Sequence, residues 1–193
     1  MPEPSTEVAP PYDGPIVAIP VYAGVSELEV GLMVGVCRLC GGAECVRTVH
    51  RSRISIVTAG GLVTTPHVVY AALPEPAALL LPGGPGAAKA ARDPLLKEFL
   101  RGHAALPAGV SGSGTLLAGE AGILKGKVVG GSAELSDTLW SYDPADVKPG
   151  QRVQDGQLLT VPAGLPALDA ALYVAGALWG PETARSAAQR LGA

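Results

Sequence analysis

Reactive side chains are scarce in this chain of 193 residues, which carries three cysteines and three histidines, so each place where chemistry is possible can be weighed in turn. The segment Ser111-Gly112-Ser113-Gly114 follows an apolar run at 106–110 and leads into a helical stretch at 115–121. A buried strand, a tight glycine turn and a helix in that order form a nucleophile-elbow arrangement. It holds one side chain at a strained position beside unpaired helix N–H groups, where an anion is stabilised. Gly83-Gly84, after the run Leu79-Leu80-Leu81, offers further amides for an oxyanion hole. Glu29 lies shortly after the first apolar run, at a strand's carboxyl end where such sheets hold ligands. The candidate set is therefore Ser111 and Glu29 for catalysis, with Gly83, Gly84 and Gly112 as ligand or oxyanion donors. The plain structural alternatives are an exposed acid in a helix's first turn for Glu29, and helix capping for Ser111, Ser113 and Thr115.

Other constellations are weaker. Cys37 and Cys40 have the spacing of a metal or redox pair, but only Cys45 joins them, and the pair sits at the end of a helical stretch rather than its start. Small apolar residues packed under a sheet are the simpler reading. Gly83-Gly84-Pro85-Gly86 lacks the Lys-Ser/Thr ending of a phosphate loop. No metal site and no cofactor is expected. Trp140 and Tyr142 fall in a polar stretch, 136–150, read as a loop able to wall a pocket or an interface.

These residues need a scaffold, and the hydrophobic pattern supplies one. Ile16-Val17-Ala18-Ile19-Pro20-Val21-Tyr22 is long enough for one buried strand. Ser26 and Glu29 have capping-box spacing, and Leu28, Leu32, Val36 and Leu39 recur at helical intervals up to Gly41-Gly42. Residues 44–50 read as a strand extending a parallel sheet, and 52–58 with 62–65 as a small hairpin. Asp93-Pro94 opens a helix with proline at its first position. Asp155-Gly156 joins a second hairpin, residues 166–178 form a buried helix, and Pro181 opens a last one. Strands alternating with helices imply a mostly parallel sheet covered on both faces, with ligands at the carboxyl ends of the strands. Residues 1–15, five of them proline, read as a flexible tail, and 16–193 as one domain.

Composition narrows the class further. Hydrophobic residues make up 48%, charged residues 16% and aromatic residues 4%, with 26 glycines, so the core must be aliphatic and closely spaced. A net charge of −3 provides no basic face for nucleic acid. No run approaches the ~20 apolar residues of a membrane span, and the expectation is a cytoplasmic protein.

Four segments resemble the ThiJ/PfpI family of the class I glutamine amidotransferase-like superfamily. They are Val25-Ser26-Glu27-Leu28-Glu29-Val30, Leu79-Leu80-Leu81-Pro82-Gly83-Gly84, Ala108-Gly109-Val110-Ser111 with the following 117–126, and 159–169. The resemblance implies a three-layer α/β/α sandwich of flavodoxin-like type, a glutamate bonded to a catalytic cysteine, hydrolase or lyase chemistry, a stress-related role and a homodimer. The sequence departs from the family at the reaction centre. The cysteine's place falls on Ser111 when counted from the strand and on Gly112 when counted back from Gly122 and Gly126. Gly130-Gly131-Ser132 fills the stretch where the family has its histidine, and His50, His67 and His103 all precede the elbow. The sequence thus implies a vestigial, non-catalytic binder of a small carbonyl or anionic ligand. The alternative is a hydrolase or lyase working through Ser111 or Glu29-activated water.

Overall fold

The computed structural model describes residues 12–193. The expected flexible tail lies outside the described residues up to residue 11, and Tyr12 already packs against the apolar core. Along the chain run β1 (Val17–Pro20), α1 (Glu27–Gly41), β2 (Val46–His50), β3 (Ile56–Val57), β4 (Val63–Thr64), β5 (Val68–Val69), β6 (Ala78–Leu81), α2 (Ala87–Ala90), α3 (Pro94–Gly102) and β7 (Ala108–Ser111). There follow α4 (Gly114–Glu120), β8 (Val128–Val129), α5 (Ser136–Trp140), β9 (Asp146–Val147), β10 (Val153–Asp155), β11 (Leu158–Val161), α6 (Ala167–Trp179) and α7 (Pro181–Arg190).

Among the described residues seven strands form the central sheet in the order β10-β11-β7-β6-β1-β2-β5, parallel except where β10 pairs antiparallel with β11. Period-two alternation divides the strand side chains between two cores. Val17, Ile19, Ala78, Leu80, Leu159 and Val161 meet Met33 and Val36 of α1 and Ala170 and Val174 of α6. Ala18, Leu79, Leu81, Ala108, Val110 and Leu158 face Leu96 and Phe99 of α3 and Leu117 of α4. Helices α1, α6 and α7 pack together on one face and α2, α3 and α4 on the other, which is a three-layer α/β/α sandwich. With both faces covered, the inner strands read as unbroken apolar runs.

The small-residue bias has a packing cause. A Cβ placed on Gly109 of β7 would lie 2.6 Å from the Ala170 carbonyl oxygen, and Ala167, Ala170, Ala171 and Ala175 of α6 are buried against the sheet. Helix and strand approach until backbone meets backbone, which only glycine and alanine permit. Cys37 and Cys45 are likewise buried packing residues, the Cys45 thiol donating to the Cys37 carbonyl at 3.1 Å. Burial pushes the Cys37 thiol far above its ordinary pKa.

The strand-helix alternation, the β3–β4 hairpin and the β10–β11 hairpin follow the sequence expectation. The stretch 136–150 does not, because it contains α5 and also β9, which pairs in parallel with β8. Within it Trp140 is exposed, whereas the Tyr142 ring packs against Gly119 of α4. Elements this short span too few residues for a period to register. The chain moves from β1 to β2 in one direction and places β6 on β1's other side. The topological switch point thus falls at the carboxyl ends of β1 and β6, where open α/β sheets hold their sites.

Candidate functional site

Glu29 reaches this switch point because Ser26 caps α1, its side chain accepting the Glu29 N–H at 3.4 Å. Only half of the expected capping box forms. The Ser26 N–H donates to the Gly83 carbonyl at 2.8 Å, and the Glu29 carboxylate turns inward instead of back onto its own helix. It is 2% exposed. Oε2 accepts the Gly83 N–H at 2.6 Å and Oε1 the Gly164 N–H at 2.8 Å. One carboxylate therefore joins the turns after β1, β6 and β11, and each charge-assisted bond is stronger than a neutral one. Beside it Tyr22 is buried, its hydroxyl donating to the Pro82 carbonyl at 2.8 Å. Burial, and then the nearby Glu29 carboxylate, hold that phenol in its neutral form.

At the elbow itself the left-handed residue is Gly112, with φ of +49°. Its N–H donates to the Val161 carbonyl at 2.9 Å, and its own carbonyl accepts from the Thr115 hydroxyl at 2.7 Å. A Cβ at this position would lie 2.6 Å from Ala163 Cβ and 3.0 Å from Ala163 Cα. Ser111 is the last residue of β7 and is fully buried, and its hydroxyl donates to the Pro162 carbonyl at 3.2 Å. Ser113 accepts the Gly84 N–H at 2.9 Å and donates to the Gly84 carbonyl at 3.0 Å. The amides of Gly83, Gly84 and Gly112, all candidate oxyanion donors, are thus committed to partners within the protein.

The stretch that would carry a histidine presents Ser132, whose hydroxyl oxygen accepts the Ala163 N–H at 3.3 Å. The histidines work elsewhere. The Nδ1 of His67 accepts the Thr48 N–H at 3.0 Å, that of His103 donates to the Phe99 carbonyl at 2.8 Å, and that of His50 accepts the Ser52 N–H at 3.2 Å. The structure therefore brings Glu29, Gly83, Gly84, Ser111 and Gly112 to one place, as the sequence places them at successive strand ends. It adds Ala163 and Gly164, which sequence reading did not single out as site residues. Their signal lay in the small-residue turn of segment 159–169.

Two cavities open outside the elbow. One, of about 410 Å³, opens between α1 and the β3–β4 hairpin. The other, of about 520 Å³, opens between the ends of β1 and β2, α2 and the start of α3. Glu29, Ser111 and Gly112 line neither. Among the described residues no group of three His, Cys, Asp or Glu side chains is placed to hold a metal ion, and no helix is long and apolar enough to cross a membrane.

A doubly wound, mostly parallel sheet with Glu29 at its switch point and a strand-turn-helix elbow after the neighbouring β7 defines the class as a three-layer α/β/α sandwich. No family model and no curated protein matches the sequence. Solved structures do match the fold. A ThiJ/PfpI family protein from Pseudomonas syringae superposes with a TM-score of 0.84 at 24% identity, over 100% of this chain and 81% of that one. Drosophila melanogaster DJ-1beta gives 0.83 at 20% identity, over 92% and 97%. Schizosaccharomyces pombe DJ-1 gives 0.80 at 16%, over 92% and 99%. The chain has the fold of the ThiJ/PfpI and DJ-1 superfamily.

Proposed function

We propose that this chain is a non-catalytic representative of the ThiJ/PfpI and DJ-1 fold, a binding protein for small carbonyl or anionic molecules. In this reading Gly112 holds the elbow position, and Glu29 ties loops together instead of activating a nucleophile. The observation that carries it is the left-handed turn at Gly112, which has no side chain and lies under Ala163. A serine needs an adjacent base to attack at neutral pH, and the Ser111 hydroxyl is occupied by the Pro162 carbonyl. A ligand at the elbow would compete with Glu29 for the Gly83 amide and with Ser113 for the Gly84 amide. The test is turnover of an activated ester, a peptide amide and an α-oxoaldehyde by the wild type, Ser111→Ala and Glu29→Gln. Equal background rates in all three are expected. A wild-type turnover that either substitution removes would establish the hydrolase or lyase alternative.

Self-association accompanies this reading. Leu28 on α1 is 50% exposed, and Leu62 and Val63 on the neighbouring hairpin are 62% and 68% exposed, an apolar surface suited to a second copy. Light scattering at rising concentration should show a dimer, and a monomer throughout would remove it.

A further inference from the structure

The cavity of about 520 Å³ differs in charge from the molecule around it. The protein carries a net charge of −3, yet Arg51, Lys89 and Arg92 line this cavity with a single carboxylate, Asp93. That carboxylate is already engaged. Its Oδ1 accepts the Leu95 N–H at 3.0 Å as the cap of α3, and its Oδ2 lies 3.5 Å from Arg51. The cations therefore exceed the acid available to neutralise them. The lining is also partly apolar, with Ile56 and Leu96 buried and Ile54 left 55% exposed. Tyr70 lines the cavity as well, stacked on Phe99 with ring centroids 4.8 Å apart. Burial, and then the Asp93 carboxylate, raise the Tyr70 pKa, so its hydroxyl stays a donor. The volume falls within the range of small-molecule sites, which are mostly apolar with a few convergent polar groups.

We propose that this cavity binds a small organic anion, its acidic head held by Arg51, Lys89 and Arg92 and its apolar body lying against Tyr70, Ile54 and Leu96. Guanidinium groups grip a carboxylate or phosphate through paired N–H donors, and a concave basic wall raises the local concentration of anions. Both cationic segments reach the carboxyl-end rim, Arg51 just after β2 and Lys89 and Arg92 in and after α2. This inference rests on the reading of the chain as a binding protein, and it places the ligand beside the elbow instead of in it.

The experiment is calorimetric titration, with backbone amide shifts followed in parallel, of phenyl phosphate, phenylacetate, benzylamine and inorganic phosphate. The wild type should bind phenyl phosphate or phenylacetate, with shifts at residues 50–57 and 86–96, and bind benzylamine and inorganic phosphate far more weakly. Whichever of the first two binds tighter fixes the head group. The double variant Lys89→Glu/Arg92→Glu alters exposed side chains only. It should keep the wild-type melting temperature and lose roughly tenfold or more in affinity. No binding by either aromatic anion, benzylamine binding as well as they do, inorganic phosphate binding as tightly as phenyl phosphate, equal affinity in the double variant, or shifts confined to α1 would each overturn the proposal. A turnover found in the ester and aldehyde assays bears only on the elbow, so the two readings fail separately.

Discussion

The two halves of the strand-end surface are built on opposite terms. Around β6, β7 and β11 the strand ends are buried, and the Gly83, Gly84, Gly112 and Gly164 amides each have an internal partner. Around β2, β5 and the β3–β4 hairpin, apolar side chains stand in solvent and two cavities open beside basic groups. The first half spends its polar groups on holding itself together, and the second leaves them available. Internal hydrogen bonding thus holds the first region shut, while the second keeps cavities open to solvent.

Substitutions measure this contrast, and the largest effect belongs to Glu29. Glu29→Ala removes the acceptor of the buried Gly83 amide and of the part-buried Gly164 amide, and an unmet buried amide costs about 1–3 kcal/mol. Chemical denaturation should show a loss of about 2–4 kcal/mol, and a loss under about 1 kcal/mol would contradict the clamp. Gly112→Ala comes next. It forces a Cβ into the left-handed region and against Ala163, which should destabilise the fold by about 2–3 kcal/mol. A neutral result there would mean the turn is free to move.

A smaller effect lies across the sheet and depends on pH. Burial first, and then the Arg47 guanidinium, hold the His67 pKa below the ordinary 6.5. The folded chain thus takes up this proton less readily than the unfolded one. The stability it contributes is present above 6.5 and is lost as pH falls through the lower, folded value. An NMR titration should find the His67 midpoint below 6.5, and melting temperature should fall on acidification less steeply in His67→Gln. The smallest effect is expected of Leu62→Ser, at 62% exposed. It should change stability by no more than about 0.5 kcal/mol, while weakening self-association in light scattering. A large folding defect would show that the hairpin tip belongs to the core.

How much of this was legible follows from the same contrast. β1, β6, β7 and β11 announce themselves because both faces are buried and the runs are unbroken, and each ends in a glycine or acidic turn that marks the site. Counting gives Ser111 from the strand end, the stiffer ruler, and Gly112 from the glycines that follow, since the two rulers differ by one residue. Backbone conformation bears on the proposal for Gly112, because the left-handed turn falls there. The commitment of the amides was invisible for another reason. Gly83 and Gly164 lie 54 and 135 residues from Glu29, and no local pattern encodes such a partnership. The basic cavity was hidden likewise, as Arg51 and Lys89 share no motif. β5, β8, β9 and α5 are too short to carry a period.

The span of the Glu29 bonds also bears on the order in which the molecule assembles. Its two acceptor bonds join segments from the beginning, middle and end of the sequence, so both exist only once β1, β6 and β11 lie in place. Closing such long loops costs entropy that is recovered only late. Glu29 is then a latch set after the folding barrier is crossed. Weakening it should leave the refolding rate nearly unchanged and hasten unfolding, which makes one buried carboxylate the keeper of the protein's lifetime.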